Sequence, residues 1–327
     1  MRTVNRRTLI AGLAGAAGMA AFGAGAGAAT PRAARRPFFE ANGLPIGLQL
    51  YTLGDEAGRD LDATLAAVAV IGYRDLELPS LYGRSARDVR AAADRAGLAI
   101  SSLHVPISTR GQPGLSFASP AAEIAETLVT LGASHAVAPI GVFPDGLRPQ
   151  AGETMQAAIA RAFAAAGEDP WKRTAAAVNP IAVALKAQGL HVGYHNHNLE
   201  FAPIGATTGW DILLREFDPA VEFEIDVGWV TAGGLDPVDF LARHRGRVTQ
   251  LHVKDVAAGT KTNYALTMNP AEVGSGRQDW KRILPAAVAA GVRHFYVEQE
   301  PPFAIPRLDA ARKSYAFLSA LRASNDA

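Results

Sequence analysis

From Leu44 onward the chain repeats one pattern, a short apolar run followed by a longer, Ala-rich stretch with apolar residues at helical spacing. Ile46–Tyr51 predicts the first strand, and Asp60–Ile71, with Leu61, Leu65, Val68 and Ala69 on one face, the first long helix. Tyr73–Leu78 and Leu98–His104 predict the next two strands, separated by a helix over Ser85–Ala96 with Asp88 in its first turn and Gly97 just past its end. Pro120–Leu131, stopped by Gly132, predicts a helix, and Ser134–Ile140 the fourth strand. Between Gly141 and Trp171 the pattern changes. A loop, an Ala-rich helix from about Glu153 to Ala166 and the break Gly167-Glu168-Asp169-Pro170 suggest an insertion. The alternation then resumes with helix Thr174–Gln188, strand Leu190–His195, helix Thr208–Phe217 and strand Val221–Asp226. Helix Pro237–His244, strand Val248–Val253, helix Trp280–Ala290, strand Arg293–Glu298 and helix Arg307–Ser324 complete the series.

Eight strand-plus-helix units in series imply a parallel sheet covered by helices, and over about 290 residues they favour a closed (β/α)8 TIM barrel in a single α/β domain, residues 44–327. An open doubly wound sheet is the rival. No G-x-G-x-x-G follows the first strand, which counts against a dinucleotide fold.

Composition adds limits. The 327 residues are 49% hydrophobic and 19% charged, with a net charge of +1 and no cysteine. The charge gives no reason to expect nucleic acid or an acidic membrane as partner, and thiol catalysis and thiolate metal sites are excluded. The first 29 residues have the order of an export signal. Arg6-Arg7 precedes an uncharged Ala/Gly-rich run, and Ala26-Gly27-Ala28 offers a small-residue cleavage site. The arginine pair resembles a twin-arginine signal. A permanent anchor is the rival, but the run is poor in Leu for a membrane span. Residues 30–43 read as linker, basic and disordered to about Pro37. The expected location is therefore periplasmic or secreted.

The candidate chemistry gathers at the carboxyl ends of the strands, where such barrels place their active sites. These ends carry Gln49 and Tyr51, Glu77, His104, His195 with His197 and Glu200, Asp226, His252 with Lys254, and Glu298 with Glu300. The fifth strand end is the densest: Gly193-Tyr194-His195-Asn196-His197-Asn198-Leu199-Glu200-Phe201. Unpaired burial of such groups costs roughly 2–7 kcal/mol each on transfer scales, so they are expected to face a polar cavity, a ligand or a metal. Imidazoles and carboxylates without sulfur suit Mn²⁺, Mg²⁺, Co²⁺ or Zn²⁺. One ligand from each of strands five to eight makes a four-ligand site, and one divalent ion there offsets the anions crowded by Asp226, Glu298 and Glu300. His135, His191, His244 and His294 fall inside strands or on helices and read as structural.

Several of these stretches resemble the sugar phosphate isomerase/epimerase superfamily, the xylose-isomerase-like barrels. They are the 193–201 segment, Phe223-Glu224-Ile225-Asp226-Val227-Gly228-Trp229, Leu251-His252-Val253-Lys254-Asp255, Val297-Glu298-Gln299-Glu300 and the Gly-rich turn Gly274-Ser275-Gly276-Arg277-Gln278-Asp279-Trp280. The resemblance spans most of residues 46 to 300. It implies a Glu, Asp, His, Glu metal set. Asp226, His252 and Glu298 match the last three positions, while His195 stands at the first, with His197 and Glu200 as alternatives.

What the resemblance implies is a divalent-metal-dependent enzyme that removes a proton next to the carbonyl of a sugar or polyol, through an enediolate. Glu298, Glu300 or Glu200 would serve as base and Lys254 in an acid/base or substrate role. Gln49, Tyr51, Glu77, His104, His197, Trp229 and Arg277 are the expected substrate contacts. Arg277 is the one candidate phosphate-binding cation in a Gly-rich loop, and an exported enzyme seldom meets sugar phosphates. A free sugar, keto-sugar, inosose or glycoside is therefore expected, by isomerisation or epimerisation. The alternatives are a lyase or dehydratase, a metal-dependent hydrolase, and a non-catalytic periplasmic sugar-binding barrel. The partners expected are a small sugar or polyol, with no nucleic acid and no stable membrane span after signal cleavage; a homo-oligomer is allowed. For export, Arg6→Lys combined with Arg7→Lys is expected to leave precursor in the cytoplasm. Cell fractionation checks this, and unchanged delivery across the membrane would show that the signal is read otherwise.

Overall fold

The computed structural model describes residues 36–322 except 110, 112 and 113. The expected export signal, residues 1–29, lies outside the described residues. Eight parallel strands close into a barrel: β1 (Gly47–Gln49), β2 (Asp75–Leu78), β3 (Ala99–His104), β4 (His135–Ala138), β5 (His191–His195), β6 (Val221–Asp226), β7 (Val248–Val253) and β8 (His294–Val297). They neighbour one another in chain order, and β8 closes on β1 through Gly47↔Tyr296 and Leu48↔Val297. The described residues form a single TIM barrel.

Alternation along each strand sends apolar residues outward to the helices and polar residues inward. In β6, Phe223 lies 4.9 Å from Trp210 of the helix Gly209–Glu216 and Ile225 is fully buried, while Glu224 and Asp226 point into the barrel. Such barrels are normally filled by branched apolar side chains. Here Gln49, Glu77, Ser102, Glu224, Gln250 and His252 are all 0% exposed, so the interior is polar and must be internally hydrogen-bonded.

Helix ends follow local chemistry. Asp60, Ser85 and Thr154 each accept a backbone N–H from the first turn, and Thr208 forms a capping box with Asp211. Three boundaries differ from the sequence expectation. The first strand stops at Gln49, whose side chain accepts from the Tyr51 amide (3.1 Å) and caps a 3₁₀ turn over Leu50–Leu53. The helix expected from Thr174 begins at Asp169, because proline is tolerated in a helix's first turn and Pro170 sits there. Phe38–Asn42, expected as linker, is a short helix whose Phe38 and Phe39 are buried, with Phe39 5.5 Å from Phe295.

Two small antiparallel ribbons shape the upper loops. Pro203–Ile204 pairs with Thr207–Thr208 after β5, and Asp255–Val256 with Pro270–Ala271 after β7. Asp255 organises the Gly-rich turn. Its carboxylate accepts from the amides of Val256, Gly274, Gly276 and Gln278 and from Trp280 Nε1, all between 2.9 and 3.2 Å. A Cβ on Gly276 would lie 2.2 Å from Asp255 Oδ1, so only glycine fits that turn. Among the described residues no helix is long and apolar enough to cross a membrane.

Candidate active site

The 193–201 segment delivers its polar groups in two directions. His195 ends β5 and points into the barrel, its Nδ1 3.0 Å from Glu224 Oε2 and its Nε2 3.9 Å from Asp226 Oδ2. The amides work as clamps. Asn196 accepts from the Asp226 amide (2.9 Å), and Asn198 donates to Asn263 and accepts from the Leu266 amide, fixing the long loop after β7. Glu200 accepts from Tyr194 Oη (2.7 Å) and from the His197 amide (3.1 Å), so both its oxygens are engaged within its own loop. Glu200, expected as a base or an alternative ligand, is thus held by Tyr194 of β5 and by the amide of His197, and it is not among the grouped ligand donors.

Asp226 closes β6 and caps the helix Val227–Ala232, accepting from the Trp229 amide at 2.9 Å. The glycine after it has a packing role. A Cβ on Gly228 would lie 2.8 Å from Lys254 Cγ, so the glycine leaves a channel for the lysine stem. Lys254 is buried, and its Nζ stands 2.7 Å from Asp226 Oδ2, from Glu298 Oε2 and from Glu300 Oε1. Its Nζ also lies 5.1 Å from the Trp229 ring. Trp229, expected as a substrate contact, is 2% exposed and lies between Lys254 and the His197 ring, 5.2 Å from the latter.

His252 links the two halves of the cluster. Nδ1 faces Glu298 Oε2 (2.8 Å), and Nε2 faces Glu77 Oε2 and, at 3.2 Å, Glu224 Oε2. His104 Nε2 lies 3.0 Å from the same Glu224 oxygen and 3.3 Å from Glu77. Glu77 also accepts from Gln49 Nε2 (2.9 Å) and Ser102 Oγ (2.6 Å). Gln49 and Glu77, expected as substrate contacts, are both fully buried, with Glu77 in contact with His104 and His252. Tyr51 is 46% exposed on the rim. Arg277 donates to the Thr260 carbonyl (3.4 Å), within its own loop region.

The result is two overlapping ligand groups, His195–Asp226–His252–Glu298 and His104–His195–Glu224–His252, each with its donor atoms within 4.8 Å of one another. Glu224 was missed from sequence. Its signal was the period-two pattern of β6, which puts residue 224 on the same face as Asp226.

Electrostatics divide these groups. Burial would lower the Lys254 ammonium, but Asp226, Glu298 and Glu300 overcome it and hold the pKa well above the usual lysine range. Burial likewise opposes protonation of His252, and Glu224, Glu298 and Glu77 raise it well above the ordinary value. His104 is raised to about 10 by Glu77 and Glu224 against the same desolvation. His195 and His197 go the other way: burial, and then neighbouring cations, keep them neutral, with His197 near 3. The two acids after β8 also separate. Burial would raise Glu298, but Lys254 and His252 hold it well below the carboxylate range, whereas burial keeps Glu300 raised despite Lys254.

The matches to known proteins agree with this architecture. Residues 65–321 match the model of the xylose isomerase-like TIM barrel family, and the chain belongs to that family. It is 23% identical over 277 residues to an inosose dehydratase of Geobacillus thermodenitrificans, covering 80% of this chain and 90% of that protein. Among solved structures, it resembles a sugar phosphate isomerase/epimerase from Parabacteroides distasonis, with 27% identity and a TM-score of 0.62 over 85% of this chain and 94% of that one. An L-ribulose 3-epimerase shares the fold, with 14% identity and a TM-score of 0.57 over 84% and 93% of the two chains. The family includes sugar isomerases, epimerases and dehydratases, and the buried His/Glu/Asp clusters are consistent with its metal site.

Glu200 provides a test by pH. Burial raises its carboxyl from about 4.5 to about 7. The folded chain then keeps a proton that the unfolded chain releases between those values, so this group's contribution to stability falls as pH rises through the window. The loss is on the order of 3 kcal/mol across it, at about 1.4 kcal/mol per pH unit. Glu200→Gln is expected to flatten that part of the stability–pH slope in urea unfolding. An unchanged slope would assign it to other groups.

Proposed function

We propose that the protein is a divalent-metal-dependent enzyme that isomerises or epimerises a non-phosphorylated sugar, keto-sugar or polyol by moving a proton next to a carbonyl. The observation that carries the reading is the convergence of His195, Asp226, His252 and Glu298 beside the second carboxylate, Glu300. The donor set fits a divalent ion. It is all nitrogen and oxygen, it is buried, and two of the oxygens at this centre, Asp226 Oδ2 and Glu224 Oε1, have no hydrogen-bond partner among the described residues. For Asp226 Oδ2 the neighbouring Lys254 ammonium supplies charge without hydrogen-bond geometry.

His195, Asp226, His252 and Glu298 would hold the ion, which when bound supplies Lewis-acid stabilisation of the developing oxyanion. The chain's own groups do the rest. Glu298 is held anionic by Lys254 and His252, which suits a ligand. Glu300 has a raised carboxyl and is more exposed than Glu298, which suits a group that takes and returns a proton. Lys254 donates to Glu300 at 2.7 Å and fixes its direction. His104 and the neutral His197 border the same centre and are offered as substrate contacts; the rings of His104 and His197 lie 5.5 and 5.0 Å from that of His195. A cavity of about 470 Å³ between the loops after β2 and β3 reaches His104 and gives a substrate room to enter.

A second reading, β-elimination from the same carbanionic intermediate, is favoured by the relative that is an inosose dehydratase. The export reading belongs to this proposal and supports a free rather than phosphorylated substrate. An α-deuterated keto-sugar is expected to lose its label to solvent in the presence of enzyme and metal. Glu300→Gln is expected to lower that exchange by about 10²–10⁴-fold with metal content intact, whereas Glu298→Gln should lose both. Product formed at a normal rate with the label still on its original carbon would rule this chemistry out.

A further inference from the structure

The opposite, amino-terminal mouth of the barrel holds a second histidine cluster. His135 begins β4 and His191 begins β5, paired in register, and Glu222 is the second residue of β6. The two imidazoles stack with centroids 4.8 Å apart. His191 Nδ1 lies 2.9 Å from Glu222 Oε1 and His135 Nε2 3.7 Å from Glu222 Oε2, and one donor atom from each residue falls within 4.8 Å of the others. Two atoms bound to one zinc ion at about 2.0–2.1 Å stand about 3.3 Å apart in a tetrahedron, so small side-chain rotations would close the site.

Stacked histidines over a carboxylate can be packing alone. Two further features go beyond packing. Ser134 Oγ engages His135 Nδ1 at 2.8 Å and Thr249 Oγ1 donates to Glu222 Oε2 at 2.9 Å, the outer hydrogen bonds that orient metal ligands. Among the described residues, the ion-pair partners of Glu222 are these two imidazoles; no lysine or arginine neutralises it. His294, which pairs with Asp75 at 3.4 Å, flanks His135 with ring centroids 5.2 Å apart. The side chains of His135, Glu222 and His191 are 7, 23 and 44% exposed, so an ion can enter from solvent.

We propose that His135, His191 and Glu222 form a second metal site at the base of the barrel. It would take one borderline divalent transition-metal ion such as Zn²⁺, with water completing the shell, and tie β4, β5 and β6 together. The site stands apart from the catalytic mouth and does not depend on the reading of that mouth.

The test uses the full chain without an affinity tag, stripped by chelator and reloaded with Zn²⁺. Crystals in millimolar Zn²⁺ should show an anomalous peak in contact with all three residues. Equilibrium dialysis in an Asp226→Ala/His252→Ala background should retain one tightly held ion per chain. Adding His191→Ala and Glu222→Gln should weaken that ion's affinity by about 100-fold or more. His191 is half-exposed, and the amide introduced by Glu222→Gln would keep an acceptor for Thr249, so these variants should fold, as circular dichroism can verify. Absence of the peak, or Zn²⁺ binding unaltered by the two added changes, would overturn the proposal.

Discussion

A buried ammonium facing three carboxylates is the interaction on which the upper barrel depends. Lys254 Nζ touches Asp226, Glu298 and Glu300, each at 2.7 Å, and Lys254 itself is fully buried. Anions so close together in low dielectric repel strongly, and removing a buried cation from such a group typically costs about 3–5 kcal/mol. The protonated imidazoles of His252 and His104 play the same part for Glu77 and Glu224, one layer deeper. Charge balance in the barrel therefore rests on three cationic side chains from β3 and β7 and the residue just after β7. A divalent ion entering the mouth would compete with Lys254 for Asp226 and Glu298.

The backbone around this centre is arranged to keep the charges fixed. Asn196 holds the Asp226 amide, the Asp226 side chain caps a helix, Gly228 clears the path of the lysine stem, and Asp255 gathers four amides and an indole in the turn that follows. Each device acts through hydrogen bonds or space, and none adds charge to the ligand set. Preorganisation of this kind lets a site bind a cation or stabilise a developing anion without reorganising.

Much of this was legible in the sequence. The strand-and-helix alternation identified the barrel, and polar strand ends identified the mouth, because a packed barrel top has no need of ionisable groups there. His195, Asp226, His252 and Glu298, read as one group, do lie together. What was hidden depends on register and depth. Glu224 was not singled out, since alternation alone cannot tell a solvent face from a polar barrel interior. Gln49 and Glu77 are fully buried and hydrogen-bonded to each other, and Glu200 is engaged by Tyr194 and the His197 amide, contacts that only the folded chain creates. His135, His191 and His294 read as isolated structural residues because they start three different strands. Only barrel closure brings them side by side.

The proposed divalent ion would share the buried carboxylates of the upper mouth with Lys254. The most direct measurement is a crystal structure of the full chain loaded with Mn²⁺, using anomalous scattering to locate the ion. An ion is expected within coordination distance of Asp226, His252 and Glu298, with Lys254 Nζ withdrawn from at least one of its three carboxylates. Saturating Mn²⁺ with no ion at these residues and the ammonium still in contact with all three would contradict it.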